Sequence, residues 1–143
     1  MIVKHSTTRL LFLFIVVVRF CAMEINRLKF RAWSKESKKM MLWADICRFK
    51  NLNKLISLNH IIVQQFTGLC DKHGIEIYEG DILSDWTDTD EGIVQSKMQV
   101  FWDCKKGAWL LDNSFKQDKS SGDLLSDELA GFSYEITGNV CVG

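Results

Sequence analysis

The chain has 143 residues, which suits one domain with a single core, and its 18 Lys/Arg balance 18 Asp/Glu to a formal net charge of zero. Apolar residues make up 47% of it and Pro is absent, which excludes a wholly disordered chain and a Pro-rich linker. The charges are divided, with nine Lys/Arg against three Asp/Glu in residues 24–60 and six against fifteen from residue 61 onward, so the C-terminal part is a poor surface for phosphates.

Residues 1–22 resemble a signal peptide, because basic residues precede an apolar run from Leu10 to Val18. Arg19 ends that run, no small-residue cleavage site follows, and the run is too short to span a bilayer as a helix. Met23 is an alternative start. The segment is therefore predicted to be a misassigned start or a signal-like extension before one domain over residues 23–143.

The segment RLKFRAW, residues 27–33, alternates charged and apolar side chains, which predicts a half-buried strand. Its charged side would form a basic stripe of Arg27, Lys29 and Arg31, with Lys35, Lys38 and Lys39 at its end. A polar turn follows, and MMLWADI predicts a second strand, although a helical turn within residues 36–46 also fits. Residues 48–60 predict a loop with a short strand or helix.

After the β-branched strand IIVQQF, the stretch TGLCDKHGIEIYEGDIL places five polar side chains within eleven positions. They could bind a metal or perform acid–base chemistry if they converged, although no second His lies nearby in sequence. The five are Asp71, His73, Glu76, Glu79 and Asp81.

The local pattern favours a structural role for this stretch. CDKHG has the composition of a tight turn, in which Asp71 accepts a backbone N–H two residues on and Gly74 takes a positive φ. IEIYEGDIL then predicts a strand with Glu76 and Tyr78 on its outward face and a bend at Gly80. Turn, outward face and bend would hold the five polar groups apart.

The C-terminal part predicts further β structure. MQVFWDCKKGAWLLD is a hairpin pattern closed by Gly107, with Trp102 and Trp109 as packing partners or as exposed rings for base stacking. The other predicted elements are an acidic connector at residues 84–94 that lacks the ligand spacing of an EF-hand, a short helix at 123–129 and a final strand within 132–142.

The sequence has no P-loop, no GxSxG, no HExxH and no GxGxxG. No catalytic residue, cofactor or metal is therefore predicted. The cysteines lack CxxC spacing, which predicts reduced, mostly buried thiols of a cytoplasmic protein: Cys21, Cys47, Cys70, Cys104 and Cys141.

Four segments in this order, NRLKFRAWSKESKKM, FTGLCDKHGIEIYEGDIL, VFWDCKKGAW and YEITGNV, resemble the YopX family of phage and prophage proteins. The match runs from about Met23 to Val140, and its TGL…DK.G.EIYEGDI block is specific. Ser34 stands where that family usually has Asp, and His73 replaces the Asn of an Asn-Gly turn. The resemblance implies a bacterial phage or integrated-element origin and a small SH3-like β-barrel, but transfers no catalytic residue.

The predicted fold is mainly β: a small, strongly bent barrel-like sheet over residues 61–140, with the N-terminal strand paired onto it and minor helices. The predicted function is a non-enzymatic module that binds a host or phage protein, or itself. Nucleic-acid binding through the basic stripe is the alternative, and an enzyme built on Asp71–Asp81 is less favoured. Membrane association is expected only if residues 1–22 are a genuine signal or anchor. The predicted binding surface comprises Arg27, Lys29, Arg31, Tyr78, Trp86, Trp102 and Trp109.

Overall fold

A computed structural model describes residues 27–112 and 122–142, so the predicted extension over residues 1–22 lies outside the described residues. The described elements, in chain order, are β1 (Phe30–Ser34), β2 (Lys39–Met41), α1 (Trp43–Phe49), α2 (Leu52–Ile56), β3 (Ile61–Cys70), β4 (Glu76–Tyr78), β5 (Asp81–Thr89), β6 (Gly92–Asp103), β7 (Ala108–Asp112), β8 (Asp123–Leu124), α3 (Leu125–Gly131) and β9 (Glu135–Asn139).

The strands form two antiparallel sheets, with the orders β2-β1-β3-β4 and β8-β7-β6-β5-β9. One of the sheets is curled into a half-barrel, and the predicted mainly-β class is confirmed. The N-terminal strand joins the fold as expected, since β1 pairs with β3 from Phe30↔Gln65 to Ser34↔Ile61. The chain differs from the prediction in having two sheets rather than one bent sheet.

Helices α1 and α2 cover one face of the first sheet. Ala32 from β1 is fully buried there against Ile46 and Leu55, one from each helix. The predicted second strand is wrong from Trp43 onward, because β2 ends at Met41 and α1 takes over. Trp43 and Ile46 have the three-residue spacing of one helix face, and burying that face against β1 favours the helix.

The second core lies against the second sheet. Its buried members come from both sheets and from α3: Ile77, Leu83, Val100, Leu111, Leu125 and Tyr134. Ile77 belongs to β4, so the last strand of the first sheet also contributes to the core of the second. Each of these side chains is no more than 3% exposed.

The predicted acidic connector over residues 84–94 is wrong. Strands β5 and β6 continue through it as one hairpin, with paired residues from Ile82↔Gln99 to Thr89↔Gly92. Across the hairpin Trp86 pairs with Gln95 and Thr87 pairs with Val94, and this pairing outweighs the low strand propensity of the neighbouring aspartates.

The C-terminal elements lie close to their predicted places. Helix α3 begins at Leu125 rather than at residue 123, and β9 lies within the predicted range 132–142 and pairs with the start of β5. Across the two described ranges, no helix has the length and apolar composition needed to cross a membrane.

Candidate functional site

The turn before β4 is built by Asp71 as predicted. Its Oδ1 accepts the backbone N–H groups of His73 and Ile75, both at 2.9 Å, and Gly74 has a φ of +79°. Its Oδ2 accepts the N–H of Ile136 at 3.2 Å, which attaches the turn to β9. Asp71 is therefore a buried structural carboxylate that organises one turn and one strand.

The charge on Asp71 should stabilise the fold in a pH-dependent way. Burial opposes ionisation, but the backbone donors of Ile75, Ile136 and His73 outweigh it and hold the pKa of Asp71 below its ordinary 3.8. This stabilisation is present above pH 3.8 and is lost as the pH falls through the lower folded pKa.

Replacing Asp71 by Asn should lower the free energy of unfolding by about 1–2 kcal/mol at neutral pH, because an amide turns one donor toward the N–H of Ile136. Urea denaturation from about pH 7 to about pH 2.5 measures it. The difference from wild type should shrink below pH 3.8. An equal difference at every pH would contradict the role of the charge.

His73 lies apart from the other predicted site residues. Its ring is 58% exposed, and Nε2 is 3.1 Å from Oε2 of Glu135, which also receives Lys72 Nζ at 2.9 Å. Lys72, then His73 and Trp86, lower the pKa of Glu135 to about 2. This is a surface ion cluster that links the turn to β9.

Glu76 pairs with Lys29 of the segment before β1 and accepts the hydroxyl of Tyr78 at 2.9 Å. Burial, followed by that hydrogen bond, raises the pKa of Tyr78 to about 12. The expectation that Tyr78 is exposed is wrong, since it is 8% exposed and packs on Phe66 with ring centroids 5.5 Å apart. Strand β4 is buried on both faces, so alternation could not identify an outward side.

Asp81 is almost completely buried, at 1% exposure, and forms an ion pair with Arg31 Nη2. Its Oδ1 also accepts Asn139 Nδ2 at 3.0 Å, and its Oδ2 accepts the N–H of Tyr78 at 2.9 Å. The Arg31 guanidinium lies 4.5 Å from the centroid of the Tyr78 ring. The buried charge is thereby neutralised and fully hydrogen-bonded.

Gln64 completes this network, which joins the two sheets. Its Oε1 accepts Arg31 Nε at 2.8 Å, and its amide pairs reciprocally with that of Asn139 at 3.2 Å in each direction. Arg31 and Gln64 lie on β1 and β3, whereas Asp81 and Asn139 lie on β5 and β9. We call these four side chains the sheet joint.

Sequence reasoning missed Gln64 and Asn139. One signal was available, because a Gln at the fourth position of the β-branched run IIVQQF is a polar residue where a buried strand places apolar ones. Gln64 is 2% exposed. The five polar groups of the 71–81 stretch thus have separate roles. Asp71 builds the turn, His73 belongs to the surface ion cluster, and Glu76 pairs with Lys29. Asp81 belongs to the sheet joint, and Glu79 lines a groove.

That groove, about 500 Å³, opens beside the sheet joint, between the sheets. Its apolar wall includes Trp33, Phe101 and Val140, and its charged side chains are Lys35, Lys38 and Glu79. Burial raises the pKa of the Cys141 thiol, which also lines it. We call this the seam groove.

The residues of the predicted basic stripe differ in their exposure and in their ion pairs. Arg27 is exposed, whereas the side chains of Lys29 and Arg31 are 23% and 14% exposed and pair with Glu76 and Asp81. The basic strand therefore lies against acidic residues of the same chain.

The predicted aromatic surface is partly retained. Trp86 and Trp102 are 52% and 43% exposed. Trp109 is half-buried against the second core and pairs with Trp102 across β6 and β7, with ring centroids 5.0 Å apart in an edge-on arrangement. The two were predicted as packing partners, and this is confirmed.

The distal half of the β5–β6 hairpin extends past its neighbours. Strand β9 pairs with β5 only at residues 81–84, and β7 pairs with β6 only from Gln99. Within the described ranges, residues 85–97 pair with no strand outside this hairpin. We call this segment the arm; five residue pairs at about 3.3 Å each give it a length of roughly 15 Å.

The arm carries both exposed apolar side chains and acidic side chains. Trp86, Asp88 and Ile93 share one face because Trp86 opposes Gln95 and Asp88 opposes Ile93. Ile93 is 72% exposed, and Val94 on the other face is 51% exposed. The arm carries four carboxylates and one lysine: Asp85, Asp88, Asp90, Glu91 and Lys97.

Metal-ligating and thiol groups are dispersed in the part of the chain that the structure describes. No three His, Cys, Asp or Glu side chains there are placed to hold a metal ion. The thiols of the four described cysteines are free, but the expectation that they are mostly buried is wrong, since Cys47, Cys70 and Cys104 are exposed. Cys21 lies outside the described residues.

Comparison with known proteins supports a family assignment. A family model described as YopX protein matches residues 43–141, more than half of the chain. The crystal structure of protein EF1440 from Enterococcus faecalis is similar, with a TM-score of 0.54 and 21% sequence identity over 80% of this chain and 93% of that one. At that identity the likeness concerns the fold alone. No curated protein matches the chain.

Proposed function

We propose that this chain, which belongs to the YopX protein family by its match over residues 43–141, is a non-enzymatic protein-binding module whose contact surface is the arm. One observation carries the proposal: the arm presents two strand edges that are unpaired within the described residues, together with exposed Trp86 and Ile93. An exposed hairpin of this kind can add a strand from a partner or insert its aromatic ring into a partner pocket.

The charge of the arm favours a protein partner over nucleic acid. Its four carboxylates would face phosphates of the same sign, and Lys29 and Arg31 are already paired with Glu76 and Asp81. Arg27 alone of the predicted basic stripe is exposed. Ion pairing of Lys29 and Arg31 reduces the counterion release available along the strand, although Lys35, Lys38 and Lys39 beyond it are exposed, so binding to a phosphate backbone is not favoured.

The separation of the polar groups supports a binding rather than a catalytic role. Asp71 and Asp81 are both consumed in structural hydrogen bonds, and His73 faces Glu135 on the surface. A general acid–base pair needs two such groups within reach of one reacting atom. The resemblance to phage and prophage proteins supports a bacterial cytoplasm as the setting and a phage or host protein as the partner.

Removing the apolar side chains of the arm should weaken partner binding. We expect Trp86→Ala with Ile93→Ser to weaken the complex at least tenfold, because buried aromatic and aliphatic anchors contribute most of an interface's binding energy. Partners would be identified by cross-linking in bacteria that express the tagged chain, and each would be purified and its Kd measured by calorimetry.

A matched control is available on the helical side of the fold. Leu42 and Ile56 are 59% and 60% exposed, so Leu42→Ser with Ile56→Ser removes similar apolar surface far along the chain from the arm. This variant should keep the partner's Kd. Equal Kd values for wild type and the arm variant, or a partner lost only by the control variant, would refute the arm as the contact surface.

A further inference from the structure

We propose that the seam groove receives the arm of a second copy of the chain, so that copies associate head to tail. This rests on the proposed function, since it names the partner of the arm. The two surfaces complement each other in apolar character, in charge and in size, and the groove lies where the arm of its own copy does not reach.

The apolar parts correspond. The groove presents Trp33, Phe101 and Val140, of which Val140 is 45% exposed. The arm presents Trp86 and Ile93 on one face as an apolar ridge; they are 52% and 72% exposed, and the Trp86 indole N–H donates to Glu135 Oε1 at 3.4 Å. Seating this ridge in the groove would remove both apolar surfaces from water, which is the main driving force of association.

The charged parts correspond as well. Lys35 and Lys38 lie at the groove with one carboxylate, Glu79, so its side chains carry a net charge of +1. The arm carries a net charge of −3 from four carboxylates and one lysine. Opposite charges around an apolar centre give orientation and speed of association, and they make the contact weaken with added salt.

The dimensions fit one face of the arm rather than the whole hairpin. A volume of about 500 Å³ is in the range of pockets that hold a drug-sized ligand, which leaves room for an indole and a neighbouring aliphatic side chain.

One of the two groove lysines, Lys38, lies in the β1–β2 turn and has a left-handed φ of +54°.

The contact must form between copies. The groove is lined by Gly80 and Gln99, at the end of the hairpin where β5 starts, whereas Trp86 lies five residues further along β5, about 16 Å away. The arm and the groove are different surfaces of one chain, so the contact is heterologous and closes into a ring or continues as a filament.

Charge reversal on either surface tests the inference with the full chain. Sedimentation velocity at about 100 µM should show wild type assembled beyond a monomer, with the mass falling as salt rises. Lys35→Glu with Lys38→Glu, and separately Asp88→Lys with Asp90→Lys, should each weaken assembly at least tenfold. Thermal melts near wild type would verify that both variants are folded.

Mixing the two variants gives the decisive measurement. The groove variant retains a native arm and the arm variant retains a native groove, and the two reversed surfaces again carry opposite charges, so the mixture should regain assembly. A monomeric wild type, assembly unchanged by both variants, or variants that stay monomeric when mixed would each overturn the inference. If wild type is monomeric while Trp86→Ala with Ile93→Ser still loses a different protein partner, only this inference fails and the proposed function stands.

Discussion

Replacing Asp81 by Ala is expected to lower the free energy of unfolding by about 3–5 kcal/mol, the usual result of removing one partner from a buried ion pair. The carboxylate is 1% exposed and neutralises Arg31, whose side chain is 14% exposed. Without it the guanidinium is left buried and unpaired, and the N–H of Tyr78 loses its acceptor. Urea denaturation followed by tryptophan fluorescence would measure the loss. A loss of this size is a large part of the stability of an ordinary domain.

Two controls separate the buried charge from a general effect of truncation. Glu76→Gln removes the charge from the more exposed pair with Lys29, keeps an acceptor for the Tyr78 hydroxyl and should cost less than about 1 kcal/mol. Arg31→Met combined with Asp81→Leu leaves no charge at the sheet joint and should be less destabilised than Asp81→Ala alone. If the double variant were as unstable as the sum of its parts, packing rather than charge would hold the joint together.

Replacing Gly80 by Ala should lower the free energy of unfolding by about 2–4 kcal/mol, through backbone strain and overlap together. Gly80 has a φ of +79°, and an added Cβ would lie 2.7 Å from Gln64 Nε2 and 2.9 Å from Val140 Cγ2. The overlap would displace a member of the sheet joint. Thermal and urea unfolding of the variant would measure both effects combined.

Gly74 offers a matched control for the strain alone. It also has a φ of +79°, but nothing lies within 4 Å of the position that its Cβ would take. Gly74→Ala should therefore cost only about 1–2 kcal/mol, the penalty of a left-handed conformation. Equal losses for the two variants would show that the overlap at Gly80 is relieved without cost.

Local features of the fold could be predicted from the sequence, and long-range ones could not. The turn at Asp71 and Gly74 was predictable because its hydrogen bonds span only a few residues. The pair between Arg31 and Asp81 was not, because fifty residues separate them and many other carboxylates could have competed. Ion pairs between residues so far apart in sequence depend on the order of the strands, which the alternation of polar and apolar residues does not encode.

The errors have the same origin. Tyr78 was expected to be exposed because one-sided burial was assumed for β4, yet the strand contributes to both sheets' packing. The arm was expected to be a connector because of its aspartates, yet its cross-strand register holds it in the β conformation. In both cases tertiary contacts override the local preference of the sequence.

The sheet joint also has a consequence for the order of folding. Its four side chains come from positions 31, 64, 81 and 139, so they meet only after long loops of chain have closed. Contacts of such sequence separation are formed late and slow the approach to the native state. The sheet joint should therefore stabilise the native state more than the transition state for folding. Asp81→Ala should then accelerate unfolding in stopped-flow experiments far more than it slows refolding.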